Sequence, residues 1–152
     1  MKVFLDANLL IYLNTMDFQK SETSALQDFF RDLLIQELAT DAKAVDETVY
    51  ISKSRYHVPY EQTFAFLRKA IFPYTKIISS EESDIFGIEK YLLKYRIAPS
   101  DALHLTIMEK EGIVQIASED VEFDMVSEVR RIWFSKNLTG NKNGSTADGS
   151  KL

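Results

Sequence analysis

The chain contains no cysteine in its 152 residues. That removes disulfides, thiolate catalysis and cysteine-ligated zinc together, and it leaves no sign of an oxidising compartment. Long apolar runs are missing too. Val3-Phe4-Leu5 and Leu9 to Leu13 are apolar, but Asp6 and Asn8 interrupt them. They fall short of the roughly 7–15 uninterrupted residues of a secretory core and the ~20 of a membrane span, so a soluble, cytoplasmic protein is expected. No internal repeat recurs, which sets aside solenoids and propellers. Positive charge is not in excess either: the formal net charge is −5 and the pI about 5.1. Broad electrostatic binding of nucleic acid normally shows as a basic domain. An acidic protein acts on a phosphodiester only where concentrated carboxylates are neutralised by metal ions.

What is present is an ordinary globular composition, 45% hydrophobic and 27% charged, in a length suited to one domain with one core. Residues 2–5 read as a short buried strand ending at Asp6, and Asn8 as the N-cap of a short helix through Leu13. Apolar residues at Ala25, Leu26, Phe29, Phe30, Leu33 and Leu34 step by three and four, which predicts an amphipathic helix from Ser21 to about Leu38. Further helices are expected over 44–56 and 61–72, the latter closed by Pro73. Residues 74–78 are β-branched and aromatic and predict a strand. Ser79 with Glu82 forms a capping-box pattern opening a helix through about Tyr95. Pro99-Ser100-Asp101 opens another, with Ser100 as cap and Gly112 as stop. Strands are expected at 113–117 and 130–134. Helical crossovers between short apolar strands indicate an α/β fold with a mainly parallel central sheet. Residues 135–152 carry three of the five glycines and no aromatic residue, so the folded domain is assigned to 1–134 and the rest to a flexible tail or expression scar.

Three acids occupy places where an α/β fold puts functional groups. Asp6 directly follows the first strand, Asp120 follows the strand 113–117 after two residues, and Asp101 lies in the first turn of a helix. Ligands of open parallel sheets bind beyond the carboxyl ends of strands. Each acid also has a plainer explanation. Asp101 suits the positive end of its helix, an effect worth about 0.3–1 kcal/mol, and Asp120 suits a turn. Glu47 is mid-helix, where a solvated glutamate is common. Asp6, at the edge of an apolar run, needs compensation. Convergence would settle the matter, because two carboxylates about 5 Å apart repel by roughly 3 kcal/mol at an effective dielectric of 20. A hard divalent ion with oxygen ligands turns that repulsion into affinity.

Four segments carry a family resemblance: Val3-Phe4-Leu5-Asp6-Ala7-Asn8, Val45-Asp46-Glu47-Thr48-Val49-Tyr50, Ser100-Asp101-Ala102-Leu103-His104-Leu105 and Ile116-Ala117-Ser118-Glu119-Asp120-Val121-Glu122-Phe123. In this order they resemble the PIN-domain family, particularly its toxin-type members. The resemblance implies a three-layer α/β/α fold and Mg²⁺- or Mn²⁺-dependent cleavage of RNA, leaving 5′-phosphate and 3′-hydroxyl ends. It makes Asp6, Glu47, Asp101 and Asp120 the catalytic, metal-binding quartet, Asn8 and Ser118 polar neighbours that orient it, and Glu122 an accessory acid. Glu47 is preferred to the adjacent Asp46 for its place in the family pattern. The resemblance also implies a homodimer and a cognate antitoxin that silences the enzyme.

His57 and His104 are the only imidazoles. A structural or surface role is expected for both, with a general base or RNA-stacking group as the functional alternative; neither is needed as a metal ligand, although His104 lies one turn from Asp101 and could help position it. Lys53, Arg55 and His57, interleaved with Tyr50 and Tyr56, form the best candidate RNA-binding patch, with Lys94 and Arg96 a second. Phe29, Phe30, Leu33, Phe64 and Phe66 read as core, with a dimer surface or partner groove as the alternative. Three functions compete: a toxin-type endoribonuclease, an RNA-processing or quality-control nuclease, and a PIN-like module that binds without cleaving.

Overall fold

Along the first strand, β1 (Lys2–Leu5), side chains alternate between two cores. Phe4 packs with Ile78, Tyr91, Leu105, Met108 and Ile116, whereas Val3 and Leu5 pack with Leu9, Leu10, Leu26, Leu67 and Ile71. Strand side chains alternate with a period of two, so a strand apolar on both faces belongs between two layers of helices. The computed structural model describes residues 1–17 and 20–134 and has this architecture. After β1 come α1 (Ala7–Thr15), α2 (Ser21–Leu33), β2 (Glu37–Asp41), α3 (Ala42–Ser54) and α4 (Tyr60–Phe66). Then follow β3 (Thr75–Ile78), α5 (Asp84–Tyr95), α6 (Pro99–Lys110), β4 (Gln115–Ala117) and β5 (Arg130–Ile132). The sheet order is β3-β2-β1-β4-β5, and every neighbouring pair is parallel. Residues from α5 and α6 fill the Phe4 core, and residues from α1, α2 and the segment after α4 fill the other. This is the expected three-layer α/β/α fold with a parallel sheet.

Several boundaries differ from expectation for identifiable reasons. The chain leaves α2 at Leu33 and enters β2 four residues later, where the 3.6-residue pattern had seemed to continue to Leu38. No glycine, proline or asparagine marks that break. The cap of α1 is Asp6, whose Oδ1 accepts from the Ala7 amide at 2.7 Å; Asn8 lies inside the helix. The α5 helix begins at Asp84, later than the Ser79–Glu82 pattern indicated. Asp84 Oδ2 reaches back to accept from the Glu81 amide at 2.7 Å, and both its oxygens accept from Lys110 at the end of α6. At α6 the cap is Ala98, with Pro99 in the first turn, and Gly112 takes the positive φ (+66°) that stops the helix. The helix read over 61–72 is α4 followed by one π-type turn (Leu67–Ile71) and a 3₁₀ turn that contains Pro73. The last two strands are shorter than expected, and a 3₁₀ turn at Val121–Met125 lies between them. The tail assigned to 135–152 lies outside the described residues. Among the described residues no helix is long and apolar enough to cross a membrane.

Candidate active site

Three adjacent strands, β2, β1 and β4, end side by side, and each delivers a polar residue at its carboxyl end. These are Asp41, Asp6 and Ser118. Asp6 is nearly inaccessible, with 5% of its surface exposed, so its charge needs donors. It has them. Oδ2 accepts from the Ser118 hydroxyl at 2.6 Å and from Asn8 Nδ2 at 3.1 Å, and Oδ1 accepts from the Ala7 amide. Asn8 Nδ2 also donates to Ser118 Oγ, while Asn8 Oδ1 accepts from the Glu119 amide at 3.2 Å. Asn8 and Ser118, named from the sequence as polar neighbours, both hydrogen-bond Asp6.

The remaining acids come from three other elements. Glu47 projects from α3, half-buried, whereas the adjacent Asp46 is turned to solvent; Lys43 pairs with Asp46 at 3.0 Å and reaches Glu47 Oε1 at 3.7 Å. Asp101 projects from the first turn of α6 and Asp120 from the loop after β4. Ligand atoms of Asp101, Asp120 and Glu122 lie within 4.8 Å of one another, and so do those of Asp6, Glu47 and His104. The two groups feel each other. Burial first, and then the charges of Asp6, Asp120 and Glu47, push the Asp101 carboxyl up to about 7, against the opposing pull of His104. Burial also raises Asp6 above the usual carboxylate range, with a smaller push from Asp120, although His104, Ser118 and the Ala7 amide pull it down. The four expected acids are thus brought together, with Asp101 feeling the charge of the other three.

The loop that carries Asp120 is braced on both sides. The Asp120 amide donates to Ser118 Oγ at 3.0 Å, and Asp120 itself accepts from the Glu122 amide at 2.9 Å. Arg131 on β5 donates to the Ser118 carbonyl and makes two hydrogen bonds to Asp124. Next to this loop, Glu119 accepts a short hydrogen bond from the Tyr12 hydroxyl, which raises the Tyr12 pKa to about 12.

Of two further residues at the cluster, Asp41 escaped the sequence reading, which favours a structural role for His104. His104 is completely buried, its ring 5.2 Å from that of Phe4. Its Nδ1 lies 2.6 Å from Oδ2 of Asp41, which is equally buried, and its Nε2 lies 3.9 Å from Asp6 Oδ1. Burial lowers the His104 pKa, but the hydrogen bond and charge of Asp41, helped by Asp6 and Glu47, outweigh it and leave the pKa raised. The expectation that no histidine is needed at the ligands therefore meets a ring aimed into the acidic cluster. The i, i+3 spacing of Asp101 and His104, which puts both on one helix face, was the available signal. Asp41 had none, because its strand had not been recognised.

The candidate RNA-contacting residues are outside the cluster. Lys53, Arg55 and His57 are exposed at and beyond the end of α3. Arg55 follows Glu47 by eight residues, about 12 Å of helix rise, and its charge reaches Tyr12. Lys53 sits over the Tyr60 ring at 5.8 Å. Lys94 of the second patch is paired with Glu128 at 2.6 Å. Leu33 is buried and Phe29, Phe30 and Phe66 are partly so, whereas Phe64 is exposed.

The donor set is suited to hard divalent cations: carboxylate oxygens predominate, a buried imidazole nitrogen has no hydrogen-bond partner among the described residues, and burial together with neighbouring charge pushes one carboxyl up to about 7. Fold and pocket together define an α/β/α protein with an acidic pocket at the carboxyl edge of a parallel sheet. The PIN-domain family model matches residues 3–129, and the chain belongs to that family. No curated protein gives a significant match.

Solved structures with a similar fold include VapBC2 from Rickettsia felis bound to a DNA fragment from its promoter (TM-score 0.68, 16% identity, 88% of this chain and 99% of that one). Another is VapC20 of Mycobacterium tuberculosis, described as a sarcin-ricin loop cleaving toxin (TM-score 0.66, 12% identity, 82% and 95%). A third is FitAcB from Neisseria gonorrhoeae (TM-score 0.59, 14% identity, 88% and 97%). At these identities the likeness is one of fold.

Proposed function

We propose that the protein is a divalent-metal-dependent endoribonuclease that hydrolyses RNA phosphodiester bonds and acts as the toxin of a toxin–antitoxin pair. The observation that carries the chemistry is the meeting of Asp6, Glu47, Asp101 and Asp120, drawn from four separate elements, in one pocket where Asp101 registers the charge of the other three. Structural use alone does not account for it, since a packed core gains nothing from four mutually repelling carboxylates. The toxin reading draws on the similar folds above, among them a ribosomal-loop-cleaving toxin and toxin–antitoxin assemblies.

Asp6, Glu47, Asp101 and Asp120 would hold Mg²⁺ or Mn²⁺, with Glu122 as an accessory ligand from the rim. A bound ion supplies an activated water and offsets charge on the phosphoryl oxygens. The protein's own groups prepare the site. Ser118 and Asn8 fix Asp6 Oδ2, and the Ala7 amide fixes Oδ1, 3.9 Å from His104 Nε2. Arg131 and the Ser118 hydroxyl fix the loop that positions Asp120. Lys53 and Arg55, exposed at the end of α3, would contact RNA phosphates, and an antitoxin would silence the enzyme by covering the pocket. In the hydrolysis, a water oxygen bonds to phosphorus, the bond to the 3′ oxygen breaks, and that oxygen takes up a proton. The products are a 5′-phosphate and a 3′-hydroxyl.

Two measurements test this reading. Mn²⁺ or Mg²⁺ should raise the melting temperature, because an ion that binds only the native state adds about 2.7 kcal/mol at a hundredfold excess over Kd. Expression in a bacterial host should arrest growth, and Asp6→Asn should relieve the arrest. No shift at millimolar metal removes the metal site; undisturbed growth removes the toxin role.

A further inference from the structure

We propose that His104, oriented by Asp41, is a nitrogen ligand, so that the inner half of the pocket is a mixed site of His104 Nε2, Asp6 and Glu47 that prefers Mn²⁺ to Mg²⁺. This rests on the metal-dependent reading above and assigns a ligand, a positioning residue and a metal preference beyond the four acids.

The hydrogen bonds of the ring determine what Nε2 offers. Asp41 caps α3 through Oδ1, which accepts from the Ala44 amide at 2.8 Å, so its Oδ2 is the oxygen that faces His104 Nδ1 at 2.6 Å. A carboxylate only accepts, so Nδ1 carries the proton of that bond. In the neutral ring this leaves Nε2 with a lone pair. Among the described residues Nε2 has no hydrogen-bond partner, although the ring is completely buried. What it faces are further acceptors, Asp6 Oδ1 at 3.9 Å and the carboxylate of Glu47, which also has Lys43 3.7 Å from its Oε1; one ligand atom from each of His104, Asp6 and Glu47 lies within 4.8 Å of the others.

Acceptors converging on a buried ring nitrogen are satisfied by positive charge between them, either a second proton on the ring or a metal ion that displaces it. A histidine that donates one ring nitrogen to a carboxylate and turns the other to a metal is a recurrent metal-site arrangement, and the carboxylate sets both the ring's angle and its tautomer. Phe4 packs against the same ring and holds it in place. Magnesium favours oxygen and retains its waters, whereas imidazole suits transition metals. The outer group of Asp101, Asp120 and Glu122 has only oxygen to offer. The pocket therefore contains two chemically different halves, and the inner one is selective.

Asp41→Asn gives a sharp perturbation. The asparagine oxygen can still cap Ala44, and its amide then points N–H at His104 Nδ1. The ring must switch tautomer and present N–H to the pocket, although the histidine itself is retained. The test uses the full chain stripped with chelator and titrated with Mn²⁺, read by calorimetry and by pulsed electron paramagnetic resonance of the bound ion. The expected result is a ¹⁴N imidazole coupling to Mn²⁺ in the wild-type protein. It should persist in His57→Gln, which removes the only other imidazole, and vanish in His104→Gln and in Asp41→Asn. Asp41→Asn should weaken Mn²⁺ binding by about 10–100-fold and Mg²⁺ binding less. The wild-type spectrum needs no variant to fold. Bound Mn²⁺ without nitrogen coupling overturns the assignment of His104 and leaves the acidic site standing. Coupling that survives Asp41→Asn overturns the role of Asp41. Failure of the wild-type protein to bind Mn²⁺ at all overturns both this inference and the metal-dependent function.

Discussion

Asp6 and Ser118 are 112 positions apart in the chain, and the Ser118 hydroxyl donates to Asp6 Oδ2 across 2.6 Å. A serine hydroxyl has one proton and two lone pairs. Here the proton goes to Asp6, and the lone pairs accept from Asn8 Nδ2 and the Asp120 amide. One small side chain therefore ties the end of β1, the first turn of α1 and the loop after β4 into a single frame. Ser118→Ala leaves two donors and one carboxylate oxygen short of a partner. It is expected to lower stability by about 1–3 kcal/mol, measured by urea unfolding, and to weaken divalent-ion affinity by about 10–100-fold. Unchanged metal affinity would show that the frame does not organise the ligands.

The metal-free protein is expected to respond to pH with the opposite sign to most carboxylate-rich proteins. In the folded protein burial and the neighbouring acids push the Asp101 carboxyl up to about 7, against 3.8 for a free aspartate. Below 3.8 it is protonated in both states and costs nothing. As pH rises toward 7 the unfolded chain releases the proton while the folded chain retains it, so this group's contribution falls continuously and levels off above 7. Asp6, also raised, adds in the same direction. Melting temperature without metal should therefore decline from pH 5 to pH 8, and Asp101→Asn should flatten the decline. Metal affinity should climb over the same range, since the ion takes the deprotonated carboxylate. A pH-independent affinity across neutrality would contradict this.

Helix α5 lies close against α6 at Gly87. A Cβ there would fall 2.3 Å from Thr106 Cγ2 and 2.7 Å from its Oγ1, and the Thr106 rotamer is held by a 2.7 Å hydrogen bond to the Ala102 carbonyl. Alanine gains about 1 kcal/mol over glycine in a helix, but the overlap costs about 1–3 kcal/mol. Gly87→Ala is expected to be net destabilising in a thermal or urea melt, with Thr106→Ala recovering most of the loss. Additive effects of the two substitutions would show that the helices separate without strain.

If Lys53 and Arg55 meet the RNA backbone, their removal should act through charge alone. Arg55→Ala should weaken binding of unrelated single strands to a similar degree and reduce the slope of log K against log salt by about 0.7. An unchanged slope would move the RNA path to another face.

How much of this was legible in the sequence follows from where the signals lie. The strand 2–5, the acids at 6 and 101 and the glycine stop at 112 were readable, because an apolar run ending in a carboxylate and a proline-led helix start are local patterns. Glu47 was separable from Asp46 only through the family pattern, and the structure turns Asp46 outward to Lys43. β2 was not readable. Leu34-Ile35-Gln36 contains no turn residue, so helical periodicity seemed to continue through it. That omission also hid Asp41, which exists as a site residue only because β2 ends beside β1. His104 needed Asp41 to be understood: without a buried carboxylate behind it, a lone histidine one turn from Asp101 gives no indication of which way its ring faces.

Cleavage of a single-stranded RNA by the purified protein, assayed with Mn²⁺ or Mg²⁺, with chelator, and in Asp101→Asn verified to be folded by circular dichroism, tests the central claim most directly. Cutting should require the ion, leave 5′-phosphate ends, and fall by about a hundredfold or more in Asp101→Asn. Wild-type cleavage by a folded Asp101→Asn protein, or cleavage that survives chelation, would contradict the account.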